Sequence, residues 1–152
     1  MIHWEFKKFD NLSAHELYAI IQLRNEVFVV EQNCVFQDAD NKDQLSHHLM
    51  GWQQNKLIAY TRILPPALAY SLPSIGRVVT SPSVRRNGMG TLLMKKSIEL
   101  TEALYGHSGI HIGAQLHLKK FYETFHFVQC SDPYLEDGIE HIEMKRESLL
   151  RS

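Results

Sequence analysis

One short segment of this chain constrains the fold more than any other, because a strand, a turn and a helix follow one another there without a spacer. Residues 74–80 (SIGRVVT) are rich in β-branched side chains and predict a central strand, which the Ser81-Pro82 pair ends. Residues 87–104 then repeat apolar side chains at helical spacing. The turn at the helix start carries two arginines and two glycines: Arg85, Arg86, Gly88 and Gly90. Such a segment predicts a protein in which helices pack on a sheet.

The rest of the chain adds strands and helices in an order that predicts one α/β or α+β domain over residues 1–152. Further strands are predicted at 2–9, 47–52, 56–64, 109–114, 127–131 and 139–146. Helices are predicted at 13–30, where Ser13 and Glu16 can form a capping box, and at 116–125. Loops or turns are predicted at 31–44, 53–55 and 131–138.

The composition is that of an ordinary globular protein. The 152 residues carry a formal net charge of −1, which gives no global attraction for nucleic acid or an acidic membrane, so neither is expected as a partner. The N-terminus lacks the apolar core of a secretory signal, and no apolar stretch approaches the ~20 residues that span a bilayer. Cys34 and Cys130 are expected to be reduced thiols of a cytoplasmic protein. The nine histidines match no metal-ligand spacing, so no metal is expected.

The arginine–glycine turn has the features of an anion-binding site. The first N–H groups of a helix lack intrahelical partners, and the helix dipole places about half a positive charge there. Gly88 and Gly90 let a ligand approach the main chain, while Arg85 and Arg86 add fixed charge. The spacing R-x-x-G-x-G differs from the dinucleotide and P-loop fingerprints. These residues alone leave open a capped helix with surface arginines.

Longer motifs resemble a known family. Residues 76–94 (GRVVTSPSVRRNGMGTLLM) are similar to motif A of the GNAT superfamily of acetyl-CoA-dependent N-acyltransferases. Residues 23–50, 113–128 (GAQLHLKKFYETFHFV) and 134–144 (YLEDGIEHIEM) resemble its ElaA-type subgroup. The resemblance implies the GNAT fold, a mixed central sheet of about six to seven strands flanked by about four helices.

The resemblance also implies acetyl-CoA as co-substrate. The main chain of Val78, Val79 and Thr80 is expected to pair with pantetheine and hold the thioester carbonyl. The loop and the first helical turn are expected to bind the pyrophosphate: Arg85, Arg86, Asn87, Gly88, Met89, Gly90 and Thr91. Tyr122 is expected to protonate the departing thiolate. His126 stands where the family usually has glycine, so a histidine with positive φ is expected if the turn is kept.

The general base is the least defined part of this interpretation. Many family members have a glutamate at the position of Ile110, and Gln115 stands where an asparagine is common. The candidates for a base are therefore Glu31 and His48, or a water-mediated route.

Arg77 lies inside an apolar strand, where an unpaired charge is costly. It could hold a substrate carboxylate, or it could pair with an acid of the 31–43 loop. Asp38, Asp40 and Asp43 of that loop could attract a cationic amine, or they could simply be solvated. Arg77 and Gln115 are the candidate substrate-binding residues.

Together these observations predict an enzyme that transfers an acetyl group from acetyl-CoA to a primary amine by direct attack in a ternary complex. The acceptor would be a small molecule or a peptide, and the protein could be a homodimer. The absence of an acid at Ile110 keeps an alternative open: an acyl-CoA-binding sensor or regulatory module with weak or no turnover.

Overall fold

The structure, a computed structural model, describes residues 1–147. The predicted single domain, 1–152, extends over residues 148–152, which lie outside the described residues. Within residues 1–147 the chain forms eight strands: β1 (His3–Lys8), β2 (His47–Gln53), β3 (Lys56–Leu64), β4 (Ser74–Thr80), β5 (Ile110–Gln115), β6 (Val128–Gln129), β7 (Tyr134–Glu136) and β8 (Ile139–Arg146). The predicted α/β class is confirmed.

The strands divide into two antiparallel sheets. The first has the order β1-β2-β3-β4, and the second has the order β5-β8-β6 with β7 also paired to β8. β4 and β5 lie side by side but form no ladder; the His111 N–H donates to the Pro73 carbonyl across their starting ends at 3.0 Å. The central sheet predicted from the sequence is therefore open between these two strands, and a cleft forms there.

Three α-helices pack on the sheets within the described residues: α1 (Ala14–Arg24), α2 (Met89–Tyr105) and α3 (Lys119–Glu123). Ser13 accepts from the Glu16 N–H and Glu16 accepts from the Ser13 N–H, so the predicted capping box is present. The predicted helix 13–30 has the right extent. After Arg24, however, it continues as a π-helix, Asn25–Glu31, which we call the π segment.

The main core lies between the second sheet and helices α2 and α3. Inward-facing side chains of β5 and β8 alternate with outward ones, as Ile110, Ile112 and Ile142 do. Met94 of α2 and Phe127 cover them from the helical side, and both are almost fully buried. Burial of such side chains contributes about 1.5–3 kcal/mol each and fixes the two sheets relative to α2 and α3.

Two hairpins connect neighbouring strands. The predicted turn at 53–55 is confirmed, with Gln54 and Asn55 at φ 50° and 65° between β2 and β3. The prediction of a plain turn at 131–138 is wrong, because β7 lies there and pairs with β8. Asp137 and Gly138, at φ 51° and 78°, form the two-residue connection.

His126 has φ 71°, so the expected left-handed histidine is confirmed.

Candidate active site

A cavity of about 540 Å³ opens where β4 and β5 diverge. The edges of both strands, the π segment, the start of α3 and the β7–β8 hairpin line it. It brings together eight of the residues predicted from the sequence: Glu31, Arg77, Val78, Val79, Thr80, Arg85, Gln115 and Tyr122. The structure therefore joins segments up to about 90 positions apart in one site.

The edge of β4 presents main-chain N–H groups to this cleft. The Ser81 N–H donates to the Ile58 carbonyl at 2.8 Å, toward β3. Because successive N–H groups of a regular strand point to opposite sides, the Thr80 N–H points away from β3, and Thr80 lines the cleft. A main-chain N–H in this position can donate to a carbonyl oxygen.

A β-bulge at Arg77 opens the strand at this point. Tyr60 pairs with Val79 while Arg62 pairs with Gly76, so Arg77 and Val78 together face the single residue Thr61. Arg77 has φ 49°, a left-handed conformation that is unfavourable for a non-glycine residue. A bulge of this kind increases the local twist of the strand.

The start of α2 matches an anion-binding helix terminus. Gly88 has φ 73° and precedes the helix, and the Leu92 N–H is the donor to its carbonyl at 3.1 Å. The N–H groups of Met89, Gly90 and Thr91 therefore have no partner within the helix. Arg86, Asn87, Gly88 and Thr91 are exposed, while Met89 and Gly90 are half-buried.

Arg85 reaches the cavity and pairs with Glu31 of the π segment. Its Nη1 donates to Glu31 Oε2 at 2.8 Å, and both side chains are largely exposed. The hydrogen bond from Arg85 lowers the pKa of Glu31. A carboxylate with a lowered pKa is a weaker base, so this geometry favours an ion-pair role for Glu31 over the predicted role in proton transfer.

His48 lies away from the cavity. It is fully buried, with Nδ1 at 2.7 Å from the Tyr60 hydroxyl and Nε2 at 2.9 Å from the Asp43 carbonyl. Burial lowers its pKa. Both ring nitrogens are occupied, which favours a structural role for His48 and leaves the predicted base without a route to an amine.

Arg77 belongs to a closed ring of three arginines and three aspartates, which we call the Arg–Asp ring. Around it the charges alternate in the order Arg24, Asp38, Arg77, Asp40, Arg62 and Asp43, with N–O distances between 2.7 and 3.3 Å. The alternative that Arg77 pairs with acids of the 31–43 loop is thus confirmed. The ring ties α1, β3 and the bulge of β4 to that loop.

The ring predicts an acid-sensitive stability. Burial alone would raise the pKa of Asp40 and Asp43, but their arginine partners hold both pKa values below the usual range. A carboxyl group with a depressed folded-state pKa stabilises the fold fully above its unfolded pKa of about 4, and this contribution is lost as the pH falls through the folded value.

We therefore expect the free energy of unfolding to fall steeply below about pH 4. Urea titrations between pH 7 and pH 3 measure it. Asp43→Asn should show a shallower pH dependence than the wild type. An equal slope in the two proteins would contradict this account.

Tyr122 of α3 lines the cavity. It is 6% exposed, and its ring packs edge-on against Phe121 and Phe127. Burial raises the pKa of Tyr122 to about 12, so the phenol keeps its proton at neutral pH. Gln115 also lines the cavity and donates to Gln32 Oε1 at 3.4 Å.

The β7–β8 hairpin is a part of the site that the sequence patterns did not predict. Glu136, Asp137, Ile139 and His141 all line the cavity. The Cys34 thiol donates to the Asp137 carbonyl at 3.2 Å and ties the hairpin to the end of the π segment. The Asp137-Gly138 pair between two alternating runs is a hairpin signal that would have indicated β7.

Two further observations concern the described residues alone. No helix among residues 1–147 has the length and apolar character needed to cross a membrane. Across that same part of the chain, no group of three or more histidine, cysteine, aspartate or glutamate side chains converges as metal ligands would.

A cleft between diverging strands, with a main-chain donor on one wall and the open N-terminus of α2 nearby, fits a ligand that carries both a carbonyl group and an anionic group. A model of the acetyltransferase (GNAT) domain matches residues 13–148. The chain is 42% identical to protein ElaA of Escherichia coli K12 over 149 residues, which cover 97% of each chain. The chain belongs to the GNAT acetyltransferase family.

Solved structures agree. An acyl-CoA N-acyltransferase from Pseudomonas aeruginosa superposes with a TM-score of 0.92 at 41% identity, over 96% of this chain and 99% of that one. Escherichia coli ElaA superposes with a TM-score of 0.91 at 41% identity, over 97% and 100%. The expected GNAT fold and the resemblance to the ElaA-type subgroup are confirmed.

Proposed function

We propose that this protein is an acetyl-CoA-dependent N-acetyltransferase that acetylates a primary amine of a small molecule or peptide by direct attack. One observation carries the proposal. The cleft between β4 and β5 has a main-chain donor on the strand edge, the helix start of α2 nearby, and a protonated tyrosine on its wall. These features fit a long ligand with a carbonyl at one end and phosphates at the other.

Each part of the site has a distinct task in this scheme. When bound, acetyl-CoA supplies an acetyl group activated as a thioester. The N–H groups of the β4 edge stabilise the negative charge that develops on the thioester oxygen, by about 2.7–4 kcal/mol per well-placed donor. The N–H groups of Met89, Gly90 and Thr91, with Arg85 and Arg86, hold the pyrophosphate. Tyr122 donates its proton to the sulfur.

The acceptor enters between the π segment and the β7–β8 hairpin. Glu136 and Asp137 give this part of the cavity two carboxylates besides Glu31, which is paired with Arg85. Such a lining favours a positively charged amine over an anionic acceptor. Because Arg77 is held within the Arg–Asp ring, we do not assign it to a substrate carboxylate.

Release of the CoA thiol tests this function. The purified protein is mixed with acetyl-CoA and a panel of diamines, amino-acid amides and short peptides with free N-termini, and the thiol is followed with a chromogenic reagent. Amine-dependent release, with acetylated amine detected by mass spectrometry, is expected. Tight CoA binding with no release on any amine would favour the sensor alternative, which the buried Ile110 on β5 also suggests.

Arg85→Ala tests the coenzyme loop. A hydrogen bond to a charged group contributes about 1.5–3 kcal/mol, so loss of a phosphate contact should weaken CoA binding by about tenfold or more. Isothermal calorimetry with CoA measures the affinity. Lys95→Ala is the control, because Lys95 is exposed on α2 beyond the first turn. Equal affinities of Arg85→Ala and the wild type would remove Arg85 from the phosphate site.

A further inference from the structure

His141 occupies the acceptor side of the cavity, on β8. It pairs in register with Gln115 of β5, and its neighbour Ile142 points into the core. Because strand side chains alternate, His141 and Gln115 both face away from the core, and both line the cavity. An imidazole thus stands on the wall that a bound amine would meet.

A main-chain hydrogen bond fixes the orientation of this ring. His141 Nδ1 lies 2.7 Å from the Ile139 carbonyl, which can only accept, so Nδ1 carries the proton. In the neutral imidazole the other nitrogen, Nε2, then holds a free lone pair. The Tyr134 ring lies beside the imidazole, with centroids 6.0 Å apart and an interplanar angle of 26°.

A carboxylate stands beside the free nitrogen. Glu136 Oε2 lies 3.6 Å from His141 Nε2, outside direct hydrogen-bond range but close enough to stabilise a positive charge on the ring. Tyr134 lies beside the ring, and the other titratable groups that line the cavity are Glu31, Cys34, Arg77, Arg85, His117, Tyr122 and Asp137. Of these, Glu31 is already paired with Arg85.

We propose that His141 is the general base of the reaction, with Nε2 as the proton acceptor and Glu136 as the group that stabilises the resulting imidazolium. The inference rests on the proposed N-acetyltransferase function. It supplies the base that neither Glu31 nor His48 provides in this geometry, and it assigns a cationic primary amine as the acceptor.

The atoms balance as follows. The ammonium group of the acceptor gives one proton to His141 Nε2, and its freed lone pair forms the C–N bond to the acetyl carbon. The C–S bond breaks, and the sulfur takes the Tyr122 proton. A second proton leaves the new amide nitrogen and restores the phenol, while the proton on His141 passes to solvent. The products are the acetylated amine, the free thiol and one proton.

His141→Asn separates this role from a structural one. The asparagine amide can keep the hydrogen bond to the Ile139 carbonyl, because its Nδ2 stands near the place of Nδ1, but it has no equivalent of Nε2. With the panel amine that the wild type turns over fastest, kcat/KM at pH 7.5 should fall by about 10²–10⁴-fold. His107→Asn is the matched control, since His107 is exposed and pairs with Glu102 away from the cavity.

The pH profile and CoA binding complete the test. Activity of His141→Asn should recover as the pH rises toward the pKa of the acceptor amine, because a larger fraction of the amine is then already deprotonated. CoA affinity, measured by calorimetry, should not change. A neutral-pH rate within twofold of the wild type, or a loss that is the same at every pH, would overturn the assignment while leaving the transferase intact. Absence of turnover by the wild type on the whole panel would instead overturn the transferase, and with it this inference.

A readout independent of turnover addresses the same atom. In ¹⁵N NMR spectra of histidine-labelled protein, the signals lost in His141→Asn should be those of an Nδ1–H tautomer. An Nε2–H tautomer at neutral pH would overturn the proposal, because the nitrogen aimed at the amine would already hold a proton.

Discussion

If Tyr122 is the proposed acid, we expect its replacement with phenylalanine to lower kcat by about 10²–10⁴-fold, the usual contribution of a positioned proton donor, and to change KM for acetyl-CoA much less. The side chain is almost fully buried and packed by Phe121 and Phe127, so removing one oxygen leaves the packing intact. Burial raises the pKa of Tyr122 to about 12 and so keeps the phenol protonated at neutral pH, as the proposed acid requires. Steady-state kinetics with the best panel amine measures both constants.

Tyr105→Phe is the matched control for this effect. Tyr105 is half-buried at the end of α2, packs against the same core, and does not line the cavity. Its removal should leave kcat within twofold. A Tyr122→Phe enzyme with full kcat would exclude Tyr122 as the acid, and the proton for the sulfur would then have to come from solvent.

We expect replacement of Arg24 with methionine to destabilise the fold by about 3–5 kcal/mol, because the buried carboxylates of Asp38 and Asp43 each lose one of their two arginine partners. Arg24 is completely buried, with Nε at 2.7 Å from Asp38 and Nη1 at 2.7 Å from Asp43. Such a loss is a large part of the 5–15 kcal/mol that stabilises a typical domain. Urea unfolding followed by circular dichroism measures the difference.

Lys7→Met is the control for the Arg24 prediction. Lys7 pairs with Glu16 at 2.9 Å, but 35% of its side chain remains exposed. Exposed or partly exposed pairs contribute at most about 1 kcal/mol. Similar losses for Arg24→Met and Lys7→Met would show that the Arg–Asp ring is solvated in solution.

The proposed coenzyme side of the site could be predicted from the sequence much better than the proposed acceptor side. The strand at 74–80, the turn with Arg85 and the helix after it are contiguous, so local patterns and the family resemblance predicted them together. The acceptor side brings Glu31 together with His141, which are 110 positions apart, and no local spacing records that contact. The one local signal there, Asp137-Gly138, was missed because β7 has only three residues.

Long-range electrostatics explains the other differences. The prediction that Arg77 requires a partner followed from its apolar strand, whereas its membership in a six-member ring depends on where α1 and β3 lie. His48 was a reasonable base candidate by residue type, but in the folded chain both of its ring nitrogens are hydrogen-bonded, to Tyr60 and to the Asp43 carbonyl. The π segment has no signature in apolar periodicity, since a π turn differs from an α turn by one residue.

Because of the β7–β8 hairpin, the two sides of the cavity are formed by separate segments of the sequence. In the proposed scheme, residues 78–91 contact the coenzyme, whereas much of the acceptor wall comes from the β7–β8 hairpin, which contacts the rest of the site through Cys34. Exchanging residues 134–140 between relatives should therefore change the acceptor specificity without changing the affinity for the coenzyme. In this architecture new acceptors can evolve by changes confined to one hairpin.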